Sequence, residues 1–78
     1  MGRVRVGVFG HPEEPDVVAA LHGLARAGFQ PVPRNPDRFQ SSQLEPFGFV
    51  VVSGARAPRA AVIEAHRQAG IPVAVIDC

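Results

Sequence analysis

Phe47-Gly48-Phe49-Val50-Val51-Val52-Ser53-Gly54 is apolar almost without a break up to its serine. A half-buried strand would alternate apolar and polar residues, and an amphipathic helix would repeat every three or four. This run does neither. It reads as a strand covered on both faces, the position of an inner strand in a parallel sheet. Parallel neighbours need a crossover, usually a helix, so the flanking sequence has to supply helices.

Downstream, Ser53-Gly54-Ala55-Arg56 reads as a turn. Pro58 opens a helix with Val62, Ile63, His66 and Ala69 on its inner side, and Gly70 closes it. Residues 71–77 form the last strand, with Pro72-Val73-Ala74-Val75-Ile76 inside it. Upstream, Arg3-Val4-Arg5-Val6-Gly7-Val8-Phe9-Gly10 alternates and then turns apolar, as a strand entering a core does. Gly10-His11-Pro12 ends it. Pro15 suits the first turn of a helix, with Glu13, Glu14 and Asp16 at its positive end. Val17, Leu21, Leu24 and Ala25 share one face of that helix, Arg26 lies in its last turn, and Gly28 is a natural terminator. Residues 29–33 make a second strand, confined to a sheet edge by Pro31 and Pro33.

Residues 35–46 are the least regular. Ser41-Ser42-Gln43-Leu44-Glu45 suits one helical turn capped by Ser41 or Ser42, with Glu45 at capping-box distance from Ser42. On either side lie two similar β-α-β units, the product of a duplication or of shared physical rules. Right-handed crossovers give strand order 2-1-3-4 with one helix on each face. The expectation is a small flavodoxin-like or Rossmann-like α/β domain spanning residues 1–78, standing alone or as the N-terminal part of a larger protein.

Composition narrows the chemistry. The 78 residues hold 46% hydrophobic and 19% charged side chains, a globular balance. The apolar stretches are short, so no membrane span or targeting segment is expected. Cys78 is the only cysteine, which precludes an internal disulfide and points to the cytoplasm. All eight basic residues are Arg, so neither a lysine Schiff base nor a P-loop lysine is available. A net charge of +1 and five Phe that do not interleave with Arg argue against nucleic acid. His11, His22 and His66 have no metal-ligand spacing. Ser53 lacks the flanking glycines of a nucleophile elbow, since Val51 and Ala55 stand in their places. No cofactor motif is present.

In strand order 2-1-3-4 the chain reverses between the first and third strands, and ligands of such sheets bind at the carboxyl ends there. The candidate ligand-binding residues are therefore Gly10 and His11 from one loop, and Ser53, Gly54 and Arg56 from the other. Two helix N-termini and the Arg56 guanidinium favour a small anion or nucleotide. The last strand carries a second expectation. No helix is left over for the other face of the third and fourth strands, and Val73, Ala74, Val75 and Ile76 form an apolar, unprotected edge. A homodimer through those strands is expected, or a protein partner on that surface.

The segments Val4–Gly10, Phe47–Gly54 and Ala69-Gly70-Ile71-Pro72-Val73-Ala74-Val75-Ile76-Asp77 together resemble the N-terminal Rossmann-like region of glycosyltransferase-like proteins, including bacteriophage members. That resemblance implies the first half of a sugar-nucleotide enzyme, or a protein reduced to that half. The donor nucleotide of such enzymes is usually held by a second domain, so the resemblance carries no catalytic residue onto this chain. Without a paired acid and base, the expected role is a non-catalytic binding or protein-interaction domain; the alternative is an anion- or nucleotide-binding half-domain or transferase fragment.

Overall fold

The computed structural model describes residues 2–53 and 59–76. Four strands, β1 (Arg5–Phe9), β2 (Gln30–Arg34), β3 (Phe49–Ser53) and β4 (Val73–Ile76), form one sheet in the order β2-β1-β3-β4. All three pairings are parallel. Helix α1 (Pro15–Arg26) crosses from β1 to β2, and α2 (Arg59–Gln68) precedes β4. Two 3-10 turns, Pro36–Arg38 and Ser41–Gln43, fill the passage from β2 to β3. The expected α/β fold and strand order are those of the structure.

Register assigns each side chain to a face. Val8 pairs with Val51 and Phe9 with Val52, so Val6, Val8 and Gly10 share one face with Val51 and Ser53, while Gly7 and Phe9 share the other with Val50 and Val52. Helix α1 lies on the first face, where Val17 is buried against Gly10. Helix α2 lies on the second, where Val62 joins Phe9, Phe47, Val50 and Val52 in the main core. The third strand is buried on both faces, as its unbroken apolar run requires: Val50 and Val52 are sealed, and Val51 is only 7% exposed. The open apolar surface is therefore smaller than the sequence suggested. It shrinks from strands 3 and 4 to β4, where Ala74 and Val75 are exposed and Val73 and Ile76 half-buried.

The two helices stop by the same device. Gly28 and Gly70 adopt φ of 94° and 79°, the left-handed conformation that glycine takes without penalty. Gly28 N–H donates to Ala25 and Phe29 N–H to Leu24, while Gly70 N–H donates to Arg67 and Ile71 N–H to His66. Each is a Schellman closure with an apolar residue one step beyond the glycine. The repeated Ala-Gly-apolar triplet thus ends each helix and aims the chain into the following strand.

The irregular segment is more ordered than its composition suggests. Asn35 caps the first 3-10 turn, its Oδ1 accepting from Asp37 N–H at 2.9 Å. The expected cap at Ser41 or Ser42 does not form: Gln40 takes that position and no side chain caps the turn. Glu45 is drawn away by arginines instead. The segment shields the α2 face of β1 and β2, where Phe47 lies over Gly7 and Phe39 meets Phe9 edge-on at 5.7 Å.

Gly10 matters for close approach rather than for a turn. A Cβ there would lie 2.4 Å from Val17 Cγ2 and 3.3 Å from Ser53 Cβ. Gly10→Ala should cost about 1–3 kcal/mol as overpacking. In a Val17→Ala background the same change should cost at least about 1 kcal/mol less, because the obstructing methyl is gone. Urea denaturation of the four variants measures this coupling; strict additivity would mean that α1 sits farther from the sheet.

Candidate functional site

The rim at the carboxyl ends of β1 and β3 brings Gly10 and Ser53 side by side. Val17 fills the space above Gly10. The Ser53 hydroxyl is buried and donates to Glu14 Oε2 at 3.4 Å. A carboxylate thus stands at the N-terminus of α1, and Asp16 adds a second acid in its first turn. His11 turns towards the irregular segment, with Nε2 3.6 Å from Asp37 Oδ2. Gly54 and Arg56, the other half of the expected crevice, lie outside the described residues. Beside the rim a hollow of about 320 Å³ opens between β1 and β2, lined by Gly10, Pro12, Val17, Pro33, Arg34 and Asn35.

A second hollow, of about 280 Å³, lies on the opposite face, between the irregular segment and α2. Its apolar walls are Phe9, Phe39 and Phe47. His66 forms part of the lining and is only 1% exposed. Nδ1 of His66 donates to the Val62 carbonyl one turn back at 2.7 Å. The ring packs on Phe9 and Phe39 with centroids 5.2 and 5.4 Å away. The sequence places His66 on the inner side of its helix, and there it is a buried member of an aromatic cluster, because Phe39 arrives from the irregular segment to cover it. His22, its counterpart on α1, is exposed.

One end of this hollow is a charged network. Arg34 grips Glu45 with two donors, Nε at 2.7 Å and Nη2 at 2.8 Å. Arg5 adds a third contact at 3.3 Å, and its guanidinium lies 5.3 Å from the centre of the Phe47 ring. The hydrogen bond from Arg34 holds the Glu45 carboxyl below its ordinary pKa, with Arg5 adding to the effect against a smaller opposing cost of burial. The folded pKa lies below the unfolded value of 4.5, so the network's stabilisation is complete above that pH and is lost as pH falls through the folded value. These side chains are about one-third exposed, which limits the contribution to about 0.5–1 kcal/mol. Glu45→Gln should therefore cost about that much at pH 6 and much less at pH 3. Urea denaturation at both pH values checks this; a cost independent of pH would mean that the carboxylate charge is not what the arginines recognise.

Among the described residues no cluster of His, Cys, Asp and Glu is arranged to hold a metal ion. No described helix is long and apolar enough to cross a membrane. Comparison with known proteins found no matching family model, no matching curated protein and no matching solved structure.

Proposed function

We propose that this chain is a non-catalytic protein-interaction domain whose β4 edge pairs with β4 of a second copy. The observation that carries this reading is the opposite chemistry of the two sheet edges. Gln30 N–H donates inwards to Val4, so Pro31 and Pro33 occupy the outward positions of β2 and leave no donor there. Val50 N–H donates to the Pro72 carbonyl, which makes Ala74 and Ile76 the inward positions of β4. Val73 and Val75 therefore direct their backbone N–H and C=O groups away from β3. One edge of the sheet is blocked, and the other is unpaired among the described residues, uncharged over Val73–Ile76, and apolar.

The open edge is self-complementary. A two-fold axis perpendicular to the sheet and midway between the Ala74 residues of two copies sets Val73 opposite Val75 of the other copy in an antiparallel pair. Each such pair exchanges both of its backbone hydrogen bonds, and the two sheets become one. With β3 covered on both faces, edge pairing is favoured over stacking of two sheets face to face. An anion at the rim is the weaker reading, since Glu14 already places a carboxylate there.

Sedimentation velocity at micromolar concentration tests the proposal. The expected species has twice the mass of the 8.3 kDa chain. A well-folded monomer over the whole concentration range would overturn it.

A further inference from the structure

We propose that the hollow between the irregular segment and α2 binds a small aromatic acid whose ring carries an N–H donor. The observation behind this is the state of His66. A carbonyl can only accept, so the bond to Val62 fixes the proton of the neutral ring on Nδ1 and leaves Nε2 with its lone pair. No described residue donates to Nε2. His66 lines the hollow, and no side-chain nitrogen or oxygen among the described residues is both sealed from solvent and unpartnered, so Nε2 is not wholly closed off. An acceptor fixed in direction and set among three phenylalanines selects a ligand that is apolar in body and donates one hydrogen bond.

Size and charge complete the description. A cavity of about 150 Å³ holds benzene, so about 280 Å³ accommodates two fused rings. The Glu45 carboxylate on the wall is neutralised by Arg34 and Arg5, and Arg34 is in turn occupied by Glu45. Arg38 also lines the hollow, is exposed, and forms no ion pair among the described residues. It is the cation open to a ligand. A ring seated on the phenylalanines with its N–H towards His66 would direct a carboxylate outwards to Arg38. The site lies over β1 and β2, at the other end of the sheet from β4, so its failure and the failure of the edge proposal are distinguishable.

Indole-3-acetate is the probe, and benzofuran-3-acetate, with oxygen in place of the ring N–H, is its isostere. Titration of the full chain with indole-3-acetate, followed by amide shifts, should show saturable changes at Arg38, Phe39 and His66. Benzofuran-3-acetate should bind at least about fivefold more weakly, since its ring oxygen meets the His66 lone pair. Arg38→Ala, a change at an exposed position, should weaken indole-3-acetate about fivefold or more and leave uncharged indole unaffected. Absence of saturable shifts around the hollow at millimolar indole-3-acetate would overturn the proposal. Equal affinity for the two isosteres would do the same, as would an Arg38→Ala variant that binds like the parent.

Discussion

Phe9→Ala should leave much of the chain unfolded at room temperature. Phe9 is 4% exposed and lies where three parts of the chain meet. Its ring contacts Phe39 from the irregular segment at 5.7 Å, Phe47 before β3 at 6.5 Å, and His66 of α2 at 5.2 Å. Truncating a buried Phe to Ala costs about 3–5 kcal/mol in lost transfer energy and residual cavity. At about 0.05–0.15 kcal/mol per residue, a chain of 78 residues has only about 4–12 kcal/mol in all. The lower half of that range leaves little after the substitution. Phe29 is a useful contrast. It meets Phe49 edge-on at 5.4 Å but is only half-buried, so Phe29→Ala should cost about half as much. Urea midpoints by circular dichroism measure both. Equal losses would mean that stability is not concentrated on the α2 face.

The same contacts explain which features were legible in the sequence. Strand order followed from an apolar run too long to alternate, from prolines that confine β2 to an edge, and from crossover handedness. These are local or topological rules and need no knowledge of packing. The helix ends followed because Gly28 and Gly70 each mark a left-handed residue that other side chains avoid. The passage from β2 to β3 did not follow, because its structure is set by distant partners. Ser42 and Glu45 have capping-box spacing, yet two arginines from separate strands compete for the carboxylate and win. A charge-assisted pair with a bidentate arginine outweighs one capping bond on a single 3-10 turn.

The aromatic hollow was illegible for the same reason. His66 stands one turn after Val62 on the inner side of α2, which signals burial but not what buries it. Phe39 carries no periodicity, since it follows a 3-10 turn fixed by Asn35. Only the folded chain brings Phe9, Phe39, Phe47 and His66 together. At the rim, by contrast, Gly10 and Ser53 do meet as the topology requires. The sequence also places Glu13, Glu14 and Asp16 beside them, and the contact between Ser53 and Glu14 shows where one of those acids goes.

If the proposed β4 pairing holds, Val75→Pro should convert that dimer into a folded monomer. Proline removes one N–H and fixes φ, so its effect depends on where that N–H points. At Val75 it points away from β3, and the ladder within the chain loses nothing. In the proposed pair each Val75 supplies one of the donors, so both would be lost at once and the rings would stand in the seam. Pro31 and Pro33 already occupy equivalent outward positions on β2, so the fold tolerates this device on its other edge. Val75 is 40% exposed, which keeps the cost to the monomer small. The dimer should weaken at least about 100-fold, corresponding to about 2.7 kcal/mol. Ala74→Pro, one residue earlier, is the control. Its N–H points into the sheet, so it should unfold the chain rather than separate two folded copies. Sedimentation and circular dichroism on the two variants separate these outcomes. A Val75→Pro chain that still dimerises would place the contact elsewhere, because no β4 edge lacking that donor can form the proposed pair.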